Sequence, residues 1–145
     1  MIDLWNNYEI KYNLRINIKL DYEQQTLSII DNAGGVDSDN LNLLVSPGRS
    51  STELDSNSIR YFGVGSKRAV VAISHDVEIR TRKRGENKTY KLKIDRDWIA
   101  SEDWGLTAYE VPNIDEGETI IDMTRLTRQL NEESTSALKK HLEAV

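Results

Sequence analysis

Ser58-Ile59-Arg60-Tyr61-Phe62-Gly63-Val64-Gly65-Ser66-Lys67-Arg68-Ala69 is glycine-rich and runs straight into an apolar stretch, Ala69 to Ile73, with helical patterning. Two glycines one residue apart let the backbone bend without Cβ clashes. The helix expected after them starts with free N–H groups and the positive end of its dipole. Such a junction attracts anions, phosphate above all. Lys67 falls in the first turn, where it adds a point charge. The plainer alternative is an ordinary turn before a helix. A P-loop is excluded, because Gly63-Val64-Gly65-Ser66-Lys67 lacks its glycine-lysine-serine order.

Upstream, Leu27-Ser28-Ile29-Ile30-Asp31-Asn32-Ala33-Gly34-Gly35-Val36 reads as an apolar strand ending in an acid and a glycine pair. The strand delivers a carboxylate to its tip, and the glycines let a flat ligand come close to the backbone. Taken together, the "DNAGG" and "FGVGSKRA" strings resemble the two glycine motifs of the GHKL ATP-binding superfamily. That superfamily includes gyrase, heat-shock-chaperone, histidine kinase and MutL-type ATPases. The chaperone-like and microrchidia-like branch is the most similar, and the resemblance covers nearly the whole chain.

The bulk properties fit one such domain. The chain has 145 residues, enough for one sizeable core. Charged residues make up 30% and hydrophobic ones 38%, ordinary for a globular protein. No apolar run approaches membrane-spanning length, and no signal-peptide pattern is present. Cysteine is absent, which excludes disulfides and thiolate metal sites and suits a cytoplasmic protein. A formal charge of −5 argues against general nucleic-acid binding. Arg80-Thr81-Arg82-Lys83-Arg84 is a local basic exception, read as a solvated hairpin.

Along the chain, Ile2 to Lys11 reads as a short helix. Leu14 to Leu20 alternates, with Leu14, Ile16, Ile18 and Leu20 on one side of a half-buried strand. Thr26 to Ile30 returns as its hairpin partner. Asp37-Ser38-Asp39 caps a helix running to about Val45. The polar stretch that follows has no periodicity and reads equally as a functional lid or a plain surface loop; the resemblance implies the ATP lid, over about 46–62. Lys67 to Ser74 is the next helix. Asp76 to Lys83 and Lys88 to Ile94 flank Arg84-Gly85-Glu86-Asn87 as a second hairpin. Asp97 to Glu102 reads either as a helical turn or as a stretch that merely carries Trp98 onto the core. Gly105 to Val111 and Thr119 to Met123 are strands, and Glu133 to Ala144 a terminal helix. The expected fold is α+β: a two-layer α/β sandwich of the GHKL, or Bergerat, type, with a mixed, mostly antiparallel sheet and helices on one face. Residues 1–145 form a single domain, and the resemblance implies that elements preceding the first helix in relatives are missing here.

The resemblance also implies a site. Asp31 accepts a hydrogen bond from the adenine amino group. Ala33 stands where the family has the middle glycine of its first motif, and Gly35 is the last. Thr119 matches a threonine on a late strand beside the adenine. Gly63, Val64 and Gly65 wrap the phosphates, and Lys67 matches a lysine near the terminal phosphate. On the first helix the family places a glutamate as general base and, four residues later, an asparagine that holds Mg²⁺. Counting back from the first hairpin sets Asp3 at the base position and Asn7 at the metal position. Asparagine oxygen suits Mg²⁺, whereas Asp3 is one methylene shorter than the usual base. The plainer alternatives are a turn-capping Asp31, a β-branched strand residue at Thr119 and surface polar residues at Asp3 and Asn7.

Three functions stay open at this point. The first is an ATP- and Mg²⁺-binding domain of a GHKL-type ATPase, whose lid closure signals to a homodimer mate or a transducer protein. The second is a nucleotide-gated interaction module that has lost hydrolysis. The third is a kinase-type domain that transfers phosphate to a separate protein. His75 and His141 lack partners at ligand spacing. ATP and ADP are the expected ligands, and neither membrane nor nucleic acid is an expected partner.

Overall fold

The alternation Val77-Glu78-Ile79-Arg80-Thr81 decides which side of the sheet is inside. Val77, Ile79 and Thr81 are buried, while Glu78 and Arg80 are only half-buried, because successive strand side chains point to opposite faces. The computed structural model describes residues 13–44, 72–100, 105 and 107–143. Its elements are β1 (Ile16–Asp21), β2 (Thr26–Asp31), a 3₁₀ helix (Ser38–Leu44), β3 (Ser74–Thr81), β4 (Thr89–Asp95), α1 (Arg96–Ala100), β5 (Ala108–Val111), β6 (Thr119–Leu126) and α2 (Glu132–Glu143). The strands form one six-stranded sheet in the order β1-β2-β6-β3-β4-β5. Every described pairing is antiparallel, so the sheet is not mixed in its described part.

Register turns the sequence pattern into rows, since directly paired residues share a face. Ile18, Ile29, Ile121, Ile79 and Leu92 lie side by side across five strands. The next row on that face is Leu20, Leu27, Met123, Val77 and Ile94. The buried core consists of Leu41, Val77, Ile79, Leu92, Ile94 and Met123, with Val36, Leu44, Tyr90 and Trp98 packed against it. The 3₁₀ helix and α1 therefore each contribute side chains to the apolar cluster. Fully burying a Leu, Ile or Val side chain contributes roughly 1.5–3 kcal/mol, and Val77, Ile79, Leu92 and Ile94 in these rows are buried to that extent. The other face is ionic. Ser28 donates to Asp122, Arg80 pairs with Asp122 at 2.5 Å, and Lys91 lies 3.5 Å from Glu78.

Polar side chains set the helix starts. The Asp37 carboxylate accepts from the Asn40 amide at 3.0 Å, Asp95 from that of Trp98 at 2.9 Å, and Asn131 from that of Ser134 at 2.8 Å. Each is an N-cap that occupies an otherwise orphaned N–H. The chain after β6 is latched to the first hairpin. Gln25 accepts from the Leu130 amide at 2.7 Å and donates to its carbonyl at 3.2 Å, and the Tyr22 hydroxyl meets that of Thr135.

Three expectations change. Leu14 to Leu20 is not a half-buried strand. Ile16 and Ile18 are 62% and 38% exposed, because β1 is an edge strand paired with β2 alone among the described strands. Ser74 does not end a helix: Ala72 and Ile73 are helical, and β3 begins at Ser74, whose hydroxyl donates to the Asp76 carbonyl at 2.7 Å. The strand expected from Gly105 starts only at Ala108. The expected first helix and lid lie outside the described residues.

Leu92 is 1% exposed at the centre of the first apolar row. Leu92→Ala is expected to lower the unfolding free energy by about 3 kcal/mol, read as a lower urea midpoint at unchanged m-value.

Candidate functional site

One sheet row past the apolar ones is polar. Asp31 pairs with Ile16 on one side and Thr119 on the other, and Thr119 pairs in turn with Thr81. The three side chains share the core face at the tips of β2, β6 and β3. Thr81 and Thr119 hydroxyls are 3.0 Å apart, and the Thr81 oxygen accepts from the Val36 amide at 2.9 Å. The Asp31 carboxylate accepts from the Ala33 amide at 2.9 Å. Burial pushes the Asp31 carboxyl above its ordinary value, and the Ala33 N–H only partly offsets that. A carboxylate at this depth needs donors. Its second oxygen, Oδ2, has none among the described residues, so the strand tip offers an acceptor next to a hydroxyl.

The segment after Asp31 is stitched to the ends of β3 and β6. The Gly34 amide donates to the Gly117 carbonyl at 2.9 Å, and the Gly34 carbonyl accepts from the Arg84 amide at 2.9 Å. The Gly117 amide donates to the Arg82 carbonyl at 3.0 Å. Gly35 adopts φ +66°, and a Cβ there would lie 2.0 Å from the Arg82 carbonyl oxygen. Its lack of a side chain thus serves the close approach of loop to strand, a different reason from direct ligand approach. Ala33 lies outside the left-handed region, so alanine fits where the first motif usually has glycine. A 2.7 Å ion pair between Lys83 and Asp37 closes the loop. That contact raises the lysine pKa and lowers the aspartate pKa.

Of the expected site residues, Asp31, Ala33, Gly35 and Thr119 come together here. Asp3, Asn7, Gly63, Val64, Gly65 and Lys67 lie outside the described residues, as does the expected lid. Sequence reading missed Thr81. Its signal was register: Thr81 ends β3 as Thr119 begins β6, and antiparallel pairing sets the two opposite each other. The reading of the basic run as a solvated hairpin is corrected. Arg82 donates to the carbonyls of Glu86 at 2.9 Å and Ile114 at 2.8 Å, Arg80 holds Asp122, and Lys83 holds Asp37. These cations tie loops together.

An acid at a strand tip, a glycine segment clamped behind it and a threonine on the adjoining strand thus meet at one end of the sheet. The family model for histidine kinase-, DNA gyrase B- and HSP90-like ATPases matches residues 4–132. The chain belongs to that family. A search of curated proteins finds no match. The GHKL family binds ATP, generally with Mg²⁺, and the six-stranded antiparallel sheet is consistent with its fold. Among the described residues, no group of three His, Cys, Asp or Glu side chains could hold a metal ion, and no helix is long and apolar enough to cross a membrane.

Gly35→Ala is expected to destabilise this GHKL domain by on the order of 3 kcal/mol, since the new methyl meets backbone at a positive φ. Thermal unfolding without nucleotide checks this. The neighbouring Ala33→Gly exchange is expected to leave the midpoint within a few degrees.

Proposed function

We propose that this domain binds ATP with Mg²⁺ and that nucleotide-driven closure of a lid over 46–62 signals to a partner or a second copy. The single observation that carries the adenine assignment is the half-buried Asp31 carboxylate, with Oδ1 held by the Ala33 amide and Oδ2 left for a donor. An exocyclic amino group supplies that donor. Thr119, on the next strand, lies beside it. In this reading Gly63, Val64, Gly65 and Lys67 hold the phosphates, Asn7 holds Mg²⁺, and helices cover the apolar face of the sheet. Magnesium supplies charge neutralisation for the phosphates when bound. Asp3 is the candidate base for hydrolysis.

Asp31→Asn tests the adenine contact. The Ala33 amide keeps the asparagine oxygen, so its NH₂ is turned toward the ligand's amino group and two donors face each other. The expected result is loss of ATP affinity by at least about a hundredfold in calorimetry. Near-normal binding would remove the assignment. Phosphate release that disappears in Asn7→Ala marks an active ATPase. ATP binding by the wild-type protein without phosphate release marks the nucleotide-gated module.

The same substitution has a stability signature. Because the folded Asp31 pKa is raised, the native state holds more protons than the unfolded chain between the ordinary carboxylate value and the raised one. Stability therefore falls as pH rises through that window and stays lower above it. Without nucleotide, Asp31→Asn is expected to melt no lower than wild type at neutral pH. Its advantage should shrink on acidification through the window, as followed by circular dichroism.

A further inference from the structure

β1 ends the sheet, with β2 as its one neighbour among the described strands. Peptide groups alternate in direction along an antiparallel strand. Those of Arg15 are turned inward: its amide donates to the Asn32 side-chain oxygen at 2.6 Å, and its carbonyl accepts from the Asn32 amide at 3.3 Å. The N–H and C=O groups of Ile16, Ile18 and Leu20 therefore face away from β2. Their side chains lie on the apolar face, where Ile16 and Ile18 are exposed. An edge of this kind is a template for another strand, and proteins commonly guard it by shortness, a bulge or a proline. β5, at the other end of the sheet, is four residues long. β1 runs for six, pairs with β2 without a bulge and contains no proline. Its charges, Lys19 and Asp21, alternate with the apolar residues, and Arg15 continues the alternation.

We propose that β1 is a self-docking edge: a second copy of this chain adds its own β1 antiparallel to it, about a two-fold axis at Ile18, and joins the two sheets into one. The inference goes beyond nucleotide binding and does not rest on it. A two-fold axis perpendicular to the sheet keeps the apolar faces of both copies on the same side. Centred on Ile18, the pairing sets Ile18 against Ile18 of the second copy and Ile16 against its Leu20, once on each side of the axis. The outward peptide groups of Ile16, Ile18 and Leu20 then meet one another. On the ionic face Arg15 lies opposite Asp21 of the second copy at both ends, and Lys19 lies opposite Asn17. The charges select this register. A shift by one residue would set outward peptide groups against inward ones. A shift by two residues would set Lys19 opposite Lys19 in one direction and opposite Arg15 in the other. Like charges directly across a strand pair are destabilising, whereas opposite charges there are favourable. Lys19 thus steers the pairing of two copies to one register, and the apolar side chains exposed at the edge are covered by it.

Sedimentation equilibrium of the full chain, without nucleotide, tests this. The wild type is expected to show a monomer–dimer equilibrium. Arg15→Asp sets two carboxylates against each other at both ends of the interface, and Asp21→Arg sets two guanidinium groups there. Each variant alone is expected to weaken dimerisation about tenfold or more. An equimolar mixture of the two variants restores unlike charges at both ends and is expected to form a heterodimer with near wild-type affinity, a rescue that a role in folding alone does not give. The chain has no cysteine, so a single one reports the register. Ile18→Cys lies on the axis and is expected to form a disulfide-linked dimer on oxidation. Ile16→Cys lies roughly 13 Å along the strand from its counterpart and is expected to stay unlinked. A wild type that stays monomeric at every concentration overturns the proposal and leaves the edge to an extended segment of another protein. A dimer indifferent to Arg15→Asp, or one that links through Ile16→Cys and not through Ile18→Cys, overturns it as well. The Asp21 carboxylate also accepts from the Gln24 amide at 2.8 Å. Should Asp21→Arg not fold, Arg15→Asp and the two cysteine variants decide.

Discussion

The pairing of β2 with β6, in a register that sets Asp31 directly across from Thr119, is the constraint on which the site depends. It follows from the apolar rows beneath it. Leu27 opposite Met123 and Ile29 opposite Ile121 bury their side chains only if the strands are in this phase. A slip by one residue would turn every one of them to the ionic face. The same slip would separate the carboxylate from the hydroxyl. Core packing and site geometry are therefore one specification: the hydrophobic alternation of two strands places two polar side chains side by side at their ends.

The polar row sits where that specification is most expensive. Asp31 is held deep enough for its carboxyl pKa to rise, and the hydroxyls of buried Thr81 and Thr119 lie 3.0 Å apart beside it. The surrounding loop is over-determined to hold them, with Gly34 bonded on both sides and Gly35 pressed against the Arg82 carbonyl. A rigid frame around an incompletely satisfied acceptor is the arrangement expected of a binding site, where donors come from the ligand.

Much of this was legible in the sequence because strands announce themselves by alternation. β2, β3, β4 and β6 were each found within a few residues, and so was the acid at the tip of β2. Asp31, Ala33, Gly35 and Thr119 were named from motif and resemblance, and the fold brings them together. What escaped was set by non-local pairing. Thr81 belongs to the row only through its register with Thr119, which no local pattern encodes. The exposure of Ile16 depends on β1 having one neighbour instead of two among the described strands, again a property of strand order. The basic run from Arg80 to Arg84 looked solvent-facing because its acceptors are distant in sequence: Asp37, Asp122 and the carbonyl of Ile114.

The latch between Gln25 and Leu130 differs in kind from the ties around the site. A neutral amide answers one peptide group at both its donor and its acceptor, so the attachment carries no net charge and has nothing to titrate. At the far tips of the strands, the Asp31–Asp37 segment is closed by the half-exposed Lys83–Asp37 ion pair. Mobile ions weaken such a pair and leave an amide bridge almost untouched. Raising the ionic strength thus loosens the Lys83–Asp37 tie while the Gln25–Leu130 bridge keeps its grip.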